Sequence, residues 1–116
     1  MPSSTWKNFE RQISILFHGQ RRGAYTGANG QGKSDIIKPG WSIEAKLLSR
    51  IGWQDCLNAV SQAEKNAERP NDIKCAVLKR NGDHYQNCLV VMRVQDFVSL
   101  FVNEGDPDGT TIQSDE

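Results

Sequence analysis

The chain has 116 residues, of which 37% are hydrophobic and 24% charged, with 14 basic and 14 acidic side chains. This length suits one globular domain, and this composition excludes a disordered chain. No apolar run approaches the length of a membrane-spanning helix, and the N-terminus lacks the order of a secretory signal, so we expect a cytoplasmic protein without a membrane partner.

The zero net charge hides an uneven distribution of charge along the chain. Five of the acidic residues lie after residue 102, where there is no lysine or arginine. Residues 1–102 therefore carry 14 basic and nine acidic side chains, a formal charge of +5. A basic body favours a nucleic-acid partner, although this pattern is also common among other soluble proteins. We expect one domain over residues 1–102 and a disordered acidic tail over residues 103–116.

The first predicted element is an amphipathic helix that begins after Ser4 or Thr5 and ends near His18. Its apolar residues recur at steps of three and four: Trp6, Phe9, Ile13, Leu16 and Phe17. Glu10 lies at the edge of this stripe, and a carboxylate there needs a partner because burial of a lone charge is costly. Glu10 is therefore either a site residue or a carboxylate that reaches solvent or pairs with an arginine such as Arg21.

A basic, glycine-rich segment follows over residues 21–33, for which we predict a mobile loop. Residues 27–34 (GANGQGKS) match the GxxxxGK[ST] pattern of phosphate-binding loops in nucleotide hydrolases. Such a loop requires a buried strand before it and a helix that starts at the lysine. The preceding residues are polar, and Pro39-Gly40 would stop a helix after little more than one turn, so nucleotide binding is the less favoured function.

Periodicity and turn signals predict the other elements in chain order. They are strands over residues 34–37 and 41–47 around the Pro39-Gly40 turn, a helix from Trp53 to Arg69, strands over residues 73–79 and 89–93, and a short helix after Asp96. The run at residues 89–92 is continuously apolar, so we expect that strand in the centre of the sheet. The order predicts an α/β fold in which helices flank a mixed β-sheet.

The strands around the turn bring chemically active side chains together. In the second strand Glu44 and Lys46 share one face, because residues two apart point the same way. If the two strands form a hairpin, Asp35 approaches Glu44, and two close carboxylates repel unless a cation lies between them. Hard oxygen ligands of this kind suit Mg²⁺ or Mn²⁺. The pattern therefore predicts metal-assisted phosphodiester hydrolysis.

The ordered set of these residues resembles a known superfamily. With Glu10 on a first helix, Asp35 opening a hairpin, Glu44-Ala45-Lys46 on the next strand and Gln62 on the following helix, the chain resembles the PD-(D/E)xK nucleases. It is most similar to the archaeal- and phage-type Holliday junction resolvases. The resemblance covers residues 5–102 and implies a restriction-endonuclease-like fold with the order α-β-β-α-β-β-α. Ser34 replaces the motif's proline.

The resemblance implies a role for each motif residue. Asp35, Glu44 and the backbone carbonyl of Ala45 would bind Mg²⁺ or Mn²⁺, and Glu10 would bind or orient the metal and its waters. Lys46 would position the attacking water and help to deprotonate it. Gln62, or Gln54 in its place, would support the site. The candidates for DNA contact are Arg21, Arg22, Lys33 and Ser34.

The implied activity is structure-selective cleavage of four-way DNA junctions, which leaves 5′-phosphate and 3′-hydroxyl ends. The enzyme would be a homodimer whose two sites match the two-fold symmetry of the junction, from a phage or a prokaryote. Either the face around Trp53 or residues 89–92 with Phe97 and Phe101 would form the dimer interface. The alternatives are another nuclease of the superfamily, acting in restriction, repair or end processing, and a non-catalytic DNA-binding module. The complete set of acidic and lysine residues argues against the latter.

Overall fold

The computed structural model describes residues 5–22 and 34–103, which form three α-helices and a five-stranded mixed sheet. The helices are α1 (Thr5–Leu16), α2 (Trp53–Lys65) and α3 (Val94–Phe97), and the strands are β1 (Gln20–Arg21), β2 (Ile36–Ile37), β3 (Trp41–Leu48), β4 (Ile73–Arg80) and β5 (Leu89–Val91). A π-helical segment, Val98–Asn103, continues α3. The predicted α/β class is confirmed. The loop predicted over residues 21–33 begins too early, because Arg21 lies in β1, a strand that was not predicted. Likewise Asn103, the first residue of the predicted tail, ends the π-helical segment. Residues 23–33 of the loop and 104–116 of the tail lie outside the described residues.

The strands are ordered β1-β2-β3-β4-β5 across the sheet. β3 and β4 are parallel and joined through α2, and they pair from Trp41 with Ile73 to Leu48 with Arg80. The other neighbouring pairs are antiparallel. In the described part of the chain no helix is long and apolar enough to cross a bilayer.

The predicted central position of the strand at residues 89–93 is wrong. β5 pairs with β4 and ends the sheet at that edge, and Leu89 and Val90 are 55% and 57% exposed. A continuous apolar run is typical of a strand covered on both faces. Here the ladder of β5 is only three residues long, and its apolar side chains remain largely exposed instead of entering the core.

The alternation of side chains along β3 separates two sides of the sheet, as predicted. On one side Ile43 and Ala45 are buried in a cluster with Phe9 and Ile13 of α1. On the other side the Ser42 hydroxyl donates to the backbone carbonyl of Ala63 in α2 at 2.6 Å. The face that carries Ser42 and Glu44 is therefore covered by α2.

A tight connection at Gly19 links α1 to the edge of the sheet. The Gly19 N–H donates to the Ser14 carbonyl at 2.7 Å and closes the helix. A Cβ atom on Gly19 would lie 2.8 Å from the carbonyl oxygen of Ile37 in β2, closer than a real Cβ packs against backbone. Glycine thus allows the end of α1 to contact β2 and places α1 beside the start of the hairpin.

Candidate functional site

The predicted hairpin of β2 and β3 positions Asp35. Gly40 adopts a φ of +83° in the turn, and the Asp35 N–H donates to the Ile43 carbonyl at 3.1 Å. Two residues further along β3, the Ala45 N–H donates to Oδ2 of Asp35 at 2.9 Å. The Asp35 side chain therefore continues the hydrogen-bond ladder where the backbone pairing ends, which fixes it close to the plane of the sheet.

Glu44 is buried on the α2 side of β3, with 3% of its surface exposed. Its Oε2 accepts a hydrogen bond from Nδ2 of Asn66, the residue that follows α2, at 2.8 Å. Burial, together with the negative charge of Asp35 within hydrogen-bonding reach, raises the pKa of Glu44 to about 8. Burial and the Asp35 charge therefore favour the protonated form of Glu44 in the metal-free protein.

Glu10 approaches the same site from α1. It is 9% exposed, and its Oε1 accepts a hydrogen bond from Nε of Arg21 at 2.9 Å. Burial and the charge of Asp35 raise the pKa of Glu10, whereas Arg21 and Lys46 act in the opposite direction. The Arg21 guanidinium carbon also lies 5.5 Å from the ring centroid of Trp6. The pairing of Glu10 with Arg21, which the sequence offered as the alternative to a site role, is confirmed, and the role of Glu10 at a metal stays a prediction.

Lys46 completes the cluster of charges. Its ammonium group lowers the pKa of both Glu10 and Glu44, so it lies near both carboxyl groups. Asp35 raises the pKa of the same two residues. Asp35 and Lys46 therefore act in opposite directions on the same two carboxyl groups, Glu10 and Glu44.

The contact from α2 to the site comes from Asn66, which sequence reasoning missed. Asn66 is 5% exposed, and within the described residues its Oδ1 is buried without a hydrogen-bond partner. The Gln62 side chain makes no hydrogen bond to any described residue, and Nε2 of Gln54 donates to Oδ1 of Asn58 on the exposed face. The spacing along the chain could have indicated Asn66, since it lies one helical turn beyond Gln62. The role of Gln62 stays a prediction.

The residues predicted to contact DNA lie beside the hairpin. The Ser34 hydroxyl is buried and donates to the Ile36 carbonyl at 3.0 Å, and Nε of Arg22 donates to the Ser34 carbonyl at 2.6 Å. Lys33 lies outside the described residues. Ser34 leads into β2 and not into a helix, as expected against a nucleotide-binding loop. The roles of these residues in DNA binding stay predictions.

The groups at the hairpin that could bind a metal ion are few. In residues 5–22 and 34–103, no three His, Cys, Asp or Glu side chains form a group that could hold a metal ion. Asp35 and Glu44 supply two carboxylates, and the Ala45 carbonyl points to the same side of its strand as the N–H that binds Asp35. Mg²⁺ typically uses one or two carboxylates and retains several waters.

Comparisons with known proteins gave no match to a protein-family model, a curated protein or a solved structure. The case for a function therefore depends on the geometry and chemistry of the hairpin site.

Proposed function

We propose that this chain is a Mg²⁺-dependent DNA endonuclease of the PD-(D/E)xK type with a restriction-endonuclease-like fold. The observation that supports the proposal is that Asp35, held by the Ala45 N–H where β2 separates from β3, acts on the buried carboxyl group of Glu44. Like charges in a poorly solvated place are costly unless a proton or a cation neutralises them. A divalent cation would fill that role and would release the proton from Glu44.

The residues of the site have separable tasks in this proposal. Asp35, Glu44 and the Ala45 carbonyl would hold Mg²⁺, which when bound lowers the pKa of a water ligand and stabilises charge on the phosphate. Asn66 binds one oxygen of Glu44 and so fixes the direction of the other. Lys46 would position the attacking water and help to deprotonate it. The products are 5′-phosphate and 3′-hydroxyl ends.

We infer that the substrate is a four-way junction and that the active unit is a homodimer. Of the two predicted interfaces, the edge formed by β5 and α3 has the better support. Val90, Phe97 and Phe101 are each about half exposed and line one apolar cavity. Among residues 5–22 and 34–103, no strand pairs with the outer edge of β5. An isologous dimer through this edge would present two sites related by a two-fold axis, which is the symmetry of the junction.

Cleavage of labelled DNA tests the proposed activity. A four-way junction, a linear duplex and a single strand are each incubated with Mg²⁺ or with EDTA. We expect paired cuts in the junction that require Mg²⁺ and that fall at least about a hundredfold in Asp35→Asn, because a metal ligand is lost. The control Asp83→Asn removes a partly exposed carboxylate that pairs with Arg80, and it should retain activity.

Each other outcome points to a defined alternative. Metal-dependent cleavage of all three substrates would retain the nuclease and reject the resolvase. Tight DNA binding without cleavage under any metal condition would favour the non-catalytic DNA-binding module.

A further inference from the structure

A second cavity adjoins the hairpin site and has no part in the chemistry proposed above. It has a volume of about 270 Å³ and lies between the β2–β3 hairpin and the loop that follows α2. Ser34 and Asn66 line it on the side of the site. Ser34 precedes Asp35 in the chain, and Asn66 binds Glu44, so each wall residue is one bond or one hydrogen bond from a candidate metal ligand.

The charged residues that line this cavity are mainly basic. Arg22, Lys38 and Arg69 face two acidic residues, Glu68 and Asp72. Asp72 is 7% exposed, and its Oδ2 accepts the backbone N–H groups of Glu68 and Arg69 at 3.1 Å each. These hydrogen bonds hold Asp72 in the loop, and the three basic and two acidic side chains give the lining of the cavity a formal charge of +1.

Two of the basic groups have no acidic partner in the described part of the chain. Three arginines elsewhere pair with carboxylates: Arg21 with Glu10, Arg80 with Asp83 and Arg93 with Glu64. Lys38 and Arg69 make no such pair with any described residue. The Lys38 ammonium lies instead 5.9 Å from the ring centroid of Trp41, which also lines the cavity. Cationic side chains around a concave surface attract and hold anions.

We propose that this cavity binds a phosphate group of the DNA strand, the one next to the phosphate that is cut. This inference rests on the proposed function, because the cleaved phosphate must lie at Asp35 and Glu44. Successive phosphates of a strand follow one another along its backbone, and two residues that line the cavity, Ser34 and Asn66, adjoin the two candidate metal ligands. Lys38 and Arg69 supply the charge, and a second held phosphate fixes the position of the strand relative to the site.

A titration with inorganic phosphate tests the cavity without DNA. The full chain, labelled with ¹⁵N and kept free of divalent metal, is followed by NMR through the Trp41 indole and the Asn66 side-chain amide. We expect phosphate to cause saturable chemical-shift changes of both signals. These changes should be absent in the double variant Lys38→Ala/Arg69→Ala. The control Lys65→Ala removes an exposed charge at the end of α2, outside the cavity, and should retain them. Absent shifts, or shifts retained in the double variant, would overturn the site.

Binding of a single-stranded oligonucleotide in EDTA tests whether the phosphate belongs to DNA. Arg69→Ala should weaken binding several-fold and reduce the slope of log affinity against log salt by about 0.7, the value for one phosphate contact on a single strand. Lys65→Ala should change both quantities less. Equal affinities and equal salt slopes in Arg69→Ala and Lys65→Ala would reject DNA as the source of the phosphate. If inorganic phosphate still shifted the NMR signals in that case, free phosphate would be the ligand.

These measurements test the proposed phosphate site and the proposed nuclease activity independently. Metal-dependent cleavage by the native chain, combined with unchanged binding in Arg69→Ala, would retain the nuclease and reject the cavity as part of the DNA path. Weaker binding in Arg69→Ala without cleavage by the native chain would reject the nuclease and retain the phosphate contact.

Discussion

Glu44 couples the candidate site to pH, because its carboxyl group is buried beside Asp35. The pKa of Glu44 is raised to about 8 in the folded protein, against an ordinary value of 4.5. Between these two values the folded state binds one proton that the unfolded state has released. The free energy of unfolding of the metal-free protein should therefore fall as the pH rises from about 4.5 to about 8. Below about pH 4.5 the protonated Glu44 makes its full contribution to the free energy of unfolding.

Replacement of Glu44 by glutamine should remove this dependence. Gln keeps the shape and the hydrogen-bonding capacity of the protonated acid but cannot ionise, so Glu44→Gln should lose less stability than the native chain between pH 5 and pH 8. Urea unfolding in EDTA at the two pH values measures the difference. The control is Glu64→Gln, since the hydrogen bond from Arg93 lowers the pKa of Glu64 and moves its titration below this window. Equal pH dependence in the native chain and Glu44→Gln would contradict the assignment.

At the scale of elements, the close approach of α1 to β2 is the contact that brings Glu10 to the hairpin. Gly19→Ala should destabilise the fold by about 1–3 kcal/mol, because the new methyl group would meet the Ile37 carbonyl and force backbone movement. Gly52→Ala is the matched control, since a Cβ there has its nearest contact 3.7 Å away, at Asp55. Urea unfolding compares the two variants, and an equal or smaller loss in Gly19→Ala would show that α1 is not held by this contact.

The elements themselves followed from sequence where the pattern was local. The helical spacing around Phe9 and Ile13, the alternation along β3 and the Pro39-Gly40 turn each depend on neighbouring residues, and each was predicted correctly. The edge position of β5 was not predicted correctly. An apolar run indicates that a strand tends to be buried, but it does not identify the element that packs against the strand. The contact of Asn66 with Glu44 was also missed, since it joins residues 22 apart in the sequence across the end of α2.

For the whole molecule, the exposed apolar edge of β5 leads to a prediction of assembly. Light scattering after size exclusion should show a dimer for the native chain and a monomer for Val90→Lys, because a lysine at the centre of the strand pairing opposes burial. Trp53→Ser removes a large apolar side chain that is 77% exposed at the start of α2 and should leave the dimer intact. If the Trp53→Ser variant were a monomer and the Val90→Lys variant a dimer, the interface would lie at α2 instead of β5.

The most direct test of the metal site is a titration with Mn²⁺ followed by NMR of the ¹⁵N-labelled chain, because the ion broadens signals of amides close to it. Substoichiometric Mn²⁺ at pH 8 should first broaden the amides of Asp35, Ala45 and Asn66, and excess Mg²⁺ should reverse the effect. The Asp35→Asn variant should lose the broadening. Equal broadening in Asp35→Asn, or broadening that begins at peripheral acids such as Asp83 and Asp96, would contradict a metal site at the hairpin.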